Sequence, residues 1–362
     1  MNLNVVLSGL SALLSFAMAL AVLDQWRTRH RFYQLVWTLG MAMFGIAALT
    51  EFVGELAGWS GLLYRTWYLT GAIWVAGWLG LGTVHLLART RFGYAFAASL
   101  FLAGLFTLLT ELAKQYPDAG PSALLYFLAA VVLALAIGWE TYFGSERWVR
   151  LADLAVIGAT VLSLVLMATA TLAAPGYKLD PRDHIPVADL LPGYVRLLTP
   201  FLNITGAFAL SLGALYSTYI FMPKRRVLAY SLEARRQSGD EFLFNLAISP
   251  IAFVVNFVAS IPGTLVALVA GRLHSRVPAT ILIAIGGFIP SVTSGLVRFG
   301  DTSSFYVGQF LGALFLFVGF LASIEVFGEF RIPFTGRVLG RGARTERAPL
   351  ADGAARPEHA TS

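Results

Sequence analysis

The sequence predicts an all-α integral membrane protein, a polytopic helical bundle, on three observations. Of 362 residues, 57% are hydrophobic and only 13% charged, whereas a water-soluble domain carries about 25% charged residues. The charges fall between long apolar stretches, each close to the roughly 20 residues that a helical membrane crossing needs. The net charge of +6 comes mostly from arginine, and the arginines flank those stretches as topology signals do, which argues against a nucleic-acid surface.

Taken in order, seven stretches come first, at 4–23, 33–55, 65–87, 93–112, 121–140, 154–174 and 195–221. Each is bounded by charge or by a turn such as Ala119-Gly120-Pro121. The first begins almost at Met1 without a preceding Lys or Arg. A secretory signal has a basic leader and a cleavage site, so this run reads as a retained helix with its N-terminus outside. The connections then expected to be cytoplasmic hold Arg27, Arg29, Arg31, Arg89, Arg91, Arg147, Arg150, Lys224, Arg225, Arg226, Arg235 and Arg236. Those expected outside hold Arg65, Lys114, Lys178, Arg182 and Arg196. That imbalance sets the orientation of the first seven spans.

Two further spans follow at 277–297 and 303–326, and between lies 242–271, thirty residues without a charge. A single crossing by 242–271 gives ten spans and divides the Lys and Arg residues evenly between the two sides. Entry and exit on the cytoplasmic side gives nine spans plus a re-entrant segment and places twenty inside against six outside. Thirty residues are too few for two full crossings, so the charge pattern favours a re-entrant hairpin turning at Ser260-Ile261-Pro262-Gly263-Thr264. One long kinked helix is the alternative. The chain is thus expected to divide into a seven-helix bundle over 1–228, a C-terminal membrane part over 229–334 and a disordered basic tail over 335–362.

Several polar positions stand out. On a regular helix Trp67, Trp74, Trp78 and His85 fall within about 40° of one another. They form either a face for an apolar ligand or a packing seam helped by Gly71, Gly77, Gly80 and Gly82. Glu51 and Glu55 lie one turn apart near the outer end of the second span. An intramembrane carboxylate is a functional candidate, and Glu51, Glu55 and Glu140 are the charge-coupling candidates. Asp24, Glu140 and Asp153 sit at about the level of His85, as a vestibule or as helix ends meeting water. In the seventh span Pro200 is expected to kink the helix, and Asn203 and Thr205 to bond across helices or line a pore. Asn203, Asn256 and the Pro262 turn are the pathway candidates. Asp180, Asp183 and His184 in the loop 175–193 read as solvated charge rather than a metal site.

No cofactor is expected. The chain has no cysteine, which excludes thiolate metal sites and disulfides of its own. No span contains a lysine, which excludes a retinal Schiff base of the opsin kind. His85 is the only histidine in a span, too few for an intramembrane zinc or bis-histidine haem site. No P-loop, GxSxG or metalloprotease motif is present. The leading functional expectation is movement of a small solute or ion across a bacterial-type cytoplasmic membrane. A second is a non-transporting receptor that binds an apolar small molecule and contacts a cytoplasmic protein through 224–241. A third is a lipid enzyme using His85 and an inner carboxylate. The lipid bilayer is the expected surrounding, and nucleic acid is not an expected partner.

Overall fold

The computed structural model describes residues 3–113, 119–173, 190–228, 242–274, 276–298, 304–325, 330–331 and 338–339. Ten of its helices are long and apolar enough to cross a membrane. They are α1 (Leu3–Arg29), α2 (Phe32–Ala57), α3 (Gly61–Leu86), α4 (Phe92–Leu112), α5 (Ser122–Tyr142), α6 (Arg147–Thr169), α7 (Gly193–Phe221), α8 (Phe242–Val269), α9 (Arg276–Arg298) and α10 (Phe305–Glu325). A two-residue antiparallel pair follows, with Phe330 opposite Leu339 and Arg331 opposite Val338. Leu13, Val132 and Leu154 are among many large apolar side chains more than 60% exposed, a surface that only a lipid surrounding makes favourable. The protein is an integral membrane protein of the all-α class.

Three antiparallel hairpins, α1–α2, α4–α5 and α9–α10, are gathered around α3 and α7. One core is filled by α3 to α8, with Trp148, Tyr64, Phe92 and Phe96 among its largest fully buried side chains. A second lies between α1, α2, α3, α7 and α10, where Met18, Met41, Phe44, Leu79, Leu210 and Leu316 meet. A backbone-to-backbone crossing joins the two central helices. A Cβ added to Gly206 of α7 would stand 2.1 Å from the Ala76 carbonyl oxygen, and one on Gly80 would stand 2.6 Å from the Gly206 oxygen. Small residues are what allow helix backbones to touch in lipid. Gly308 and Gly312 of α10 play the same part against Thr293 and Pro290 of α9.

The expected hairpin in 242–271 is not formed. Phe242–Val269 is one continuous helix containing Pro250 and Pro262, about 42 Å long at 1.5 Å per residue. Each proline removes one backbone bond, while a hairpin in an apolar surrounding would strand several polar groups at several kcal/mol each. Pro262 is exposed on the surface of α8 rather than in a turn.

The packing on either side of this helix places the ends of its neighbours. α8 runs parallel to α7. Phe253 meets Tyr216 and Tyr219, Ser260 meets Arg225, and Gly263 lies beside Pro223. After the turn at 270–274, His274 stacks on Phe221 and Thr280 bonds Thr218. α9 therefore starts at the end of the bundle where α7 finishes. α10 runs back from Tyr306, beside Glu55, to Phe320, which shares a core with Met18 and Val22. The end of α10 thus lies with Arg27–Arg31, at the basic end of the bundle. Although α8 has the length of a crossing, α7 finishes and α9 starts at the same end of the bundle.

Candidate functional site

A wide turn in α3 governs much of the polar interior of the bundle. Tyr68–Trp74 is wound as a π-helix, with the Val75 N–H bonded to the Thr70 carbonyl. The extra residue in a π turn rotates the remainder of the helix by about 100° relative to a regular one. The expected single face of Trp67, Trp74, Trp78 and His85 is thereby split. Trp67 donates its indole N–H to Glu51 of α2 at 2.6 Å. Trp74 and Trp78 donate to Ser163 at 2.8 Å and Thr160 at 3.2 Å, both on α6. Those two hydroxyls in turn donate to carbonyls of their own helix, Ser163 to Thr160 and Thr160 to Val156. The indoles of Trp74 and Trp78 thus form a seam between α3 and α6.

The π turn also explains Asn203. Its amide donates to the carbonyl of Ala72, inside the π segment, at 2.9 Å. Asn203 joins α7 to α3 at the point where the backbone departs from α-helical bonding, as the expectation of a bond across helices had it. Pro200 stands in the first turn of Leu198–Phe221, where a missing N–H costs little. Arg65 donates to the carbonyls of Met167 and Ala170, so it caps the C-terminal end of α6, where a positive charge opposes the helix dipole.

The candidate site is the carboxyl cluster at the end of the bundle opposite the basic one. Glu51 is 1% exposed. One carboxyl oxygen accepts from Trp67, the amide of Gln309 of α10 stands beside the group, and Oε2 makes no hydrogen bond. Among the described residues no cation pairs with it. Glu55, one turn on, accepts from the Tyr306 hydroxyl at 3.2 Å. Trp59, packed edge-on against Trp67 with centroids 5.8 Å apart, keeps a buried indole N–H with no acceptor. Gln309 Oε1 is likewise without a donor. Three helices, α2, α3 and α10, therefore place a carboxyl group, an indole and an amide around one buried point, with Trp59 of the α2–α3 connection packed on that indole. Such a set can hold a proton or a small cation, and it can pass either to Glu55 nearer the end of the span.

Glu140 does not join this cluster. It lies half-buried near the basic end of α5. At that end His85 and Asp153 meet at 2.7 Å, with Phe32 edge-on against the imidazole at a centroid distance of 4.7 Å. Of the three expected inner carboxylates, it is Asp153 that meets His85. Asn256 faces neither cluster. Its Oδ1 accepts from the N–H groups of Val227 and Leu228 at 2.8 and 2.9 Å, and its Nδ2 donates to the Leu228 carbonyl at 2.9 Å. It clamps the extended segment after α7. Asp180, Asp183, His184 and the greater part of 224–241 lie outside the described residues.

Sequence reasoning missed Gln309 and Tyr306. The signal was present, since Gln309 is the lone amide in the apolar run 305–322. Its pairing with Glu51 depends on α10 returning to α2, which no local pattern encodes. Comparisons with protein-family models, with curated proteins and with solved structures found no match.

Proposed function

We propose that the protein is a charge-coupled carrier of a small solute or ion, with Glu51 as the group that takes up and releases the coupling proton or cation. The observation that supports this reading is Glu51 itself, a carboxyl group 1% exposed inside a span with no cation paired to it among the described residues. A bare carboxylate held there is costly, and neutralisation by a proton or a bound cation is the physical remedy. The open hydrogen-bonding capacity of Glu51 Oε2, Gln309 Oε1 and Trp59 Nε1 supports a site that changes occupancy. With the N-terminus outside a bacterial-type cytoplasmic membrane, as the arginine distribution favours, this site lies toward the outer side.

The test uses proteoliposomes and a fluorescent carbodiimide, which modifies protonated carboxyl groups in apolar surroundings. Modification at Glu51, mapped by mass spectrometry, is expected to fall as pH rises and as cation concentration rises. Solute uptake driven by an imposed pH gradient is expected to be lost in Glu51→Gln. An unmodified Glu51 together with wild-type uptake in Glu51→Gln would overturn the assignment. A second reading, a lipid enzyme, draws support from the His85–Asp153 contact, a positioned acid–base pair. It predicts lipid turnover abolished in His85→Ala but unchanged in Glu51→Gln.

A further inference from the structure

A groove of about 130 Å³ runs between α4, α7 and α8. It starts at Arg91, at the basic end, and reaches Leu102 of α4 and Phe208 of α7. The eleven steps from Arg91 to Leu102 correspond to about 16 Å along α4. Leu102, Phe208 and Val254, all on its lining, are 46%, 42% and 52% exposed. The groove therefore opens sideways, toward the space that lipid occupies.

Its polar groups are few and placed. Arg91, only 4% exposed, places its guanidinium group at the basic end of the groove. Ser249, on the α8 wall, is 3% exposed and its hydroxyl has no hydrogen-bond partner. The other hydroxyls of α8 behave differently. Ser260 and Thr264 each donate to the carbonyl four residues earlier, at 2.7 and 2.9 Å. Ser99, across the groove, is likewise bonded to Ala95 at 2.8 Å. A buried hydroxyl without a partner costs about 1–3 kcal/mol, and a ligand with an acceptor removes that cost.

The geometry points to a resident phospholipid with an anionic headgroup: one acyl chain lies in this groove, its oxygens reach Ser249, and its headgroup stays at the Arg91 end. Three features single out this occupant. The groove is apolar along its length, it is open to the bilayer on its side, and its polar end carries positive charge. Lys224, Arg225 and Arg226 are exposed at the same end of the bundle, and they add to the attraction of an anionic headgroup. The wall formed by α8 is held in place by the Asn256 and Ser260 contacts with 225–228. The inference is independent of the role given to Glu51, which lies toward the other end of the bundle.

The full chain in nanodiscs, doped with trace phosphatidylglycerol carrying a diazirine on its acyl chain, provides the test. Cross-links mapped by mass spectrometry are expected to concentrate on 94–102 and 249–254. Phosphatidylcholine with the same acyl chain should label these peptides about fivefold less, the factor expected for one favourable basic contact. Ala98→Trp, which fills the groove, is expected to remove the concentration of cross-links on these peptides for both lipids, and Ser249→Ala, which does not alter its shape, to weaken it. Val132→Trp, at a position 65% exposed on α5, should leave it unchanged. Each variant is compared only if it elutes as the wild type does on size exclusion. Labelling spread evenly over exposed positions such as Leu13, Val132 and Leu154, equal labelling by the two headgroups, or a concentration on 94–102 and 249–254 that survives both groove variants would each overturn the proposal.

Discussion

The crossing of α3 and α7 gives the sharpest stability prediction. In Gly206→Ala the new methyl group would lie 2.1 Å from the Ala76 oxygen, 2.2 Å from its carbonyl carbon and 2.4 Å from the Gly77 nitrogen. All three are backbone atoms, so no side chain can turn aside. Restoring ordinary contact at about 3.4 Å would require the two helices to part by roughly 1.3 Å, and overpacking of this kind costs about 1–3 kcal/mol. Parting them also stretches the Asn203–Ala72 bond, which adds to the loss. The control is Gly158→Ala on α6, where an added Cβ meets nothing within 4 Å. There the gain in helix propensity, up to about 1 kcal/mol, should make the protein neutral to slightly more stable. Thermal unfolding in mild detergent, followed by loss of the monodisperse peak on size exclusion, reads both. Equal midpoints for Gly206→Ala and Gly158→Ala would refute the close crossing.

Single contacts give the other predictions. A double-mutant cycle between Trp74→Phe and Ser163→Ala should yield a coupling of about 0.6 kcal/mol, the usual worth of a side-chain bond between membrane helices, whereas zero coupling would remove the seam. Arg65→Met, by leaving the last carbonyls of α6 without their donor, should lower stability by about 1–3 kcal/mol, measured by the same unfolding assay. Asn256→Leu frees the 225–228 backbone, and tryptic cleavage at Arg225 and Arg226 should rise about tenfold or more; an unchanged rate would mean the clamp is not formed. Because the chain has no cysteine, single-thiol variants report the ends directly. Thr28→Cys and Ala270→Cys should react alike with an impermeant maleimide, protected in spheroplasts until lysis, and Ala57→Cys oppositely. Reaction of Ala270→Cys together with Ala57→Cys would mean that α8 and α9 run the other way.

The positions of the spans were legible because length and apolarity alone set them. The stretches at 33–55 and 93–112 match α2 and α4 within about two residues, the usual scatter of helix ends. The form of 242–271 was less so. Ser260-Ile261-Pro262-Gly263-Thr264 reads as a turn in water, where a broken helix is solvated. In an apolar surrounding the same residues stay helical, and the hydroxyls of Ser260 and Thr264 bond back to their own backbone. The tryptophan face was misread for a different reason. A helical wheel assumes a constant turn angle, and nothing in Tyr68–Trp74 announces a π turn. Glu51 was picked out because any carboxylate in a span is conspicuous, but its neighbours on α10 come from a return of the chain some 250 residues later.

That α7 finishes and α9 starts at the same end of the bundle also constrains how the chain is made. Judged by hydrophobicity, α8 would be threaded through the insertion channel like its predecessors, and every later helix would then be inverted. Lys224, Arg225 and Arg226 before it, and Arg272 and Arg276 after it, put positive charge on both flanks, so neither flank yields to translocation more readily than the other. Neutralising one flank alone would give the nascent chain a preferred direction. The expected product then includes a second topology, with α9 and α10 inserted upside down and Gln309 separated from Glu51.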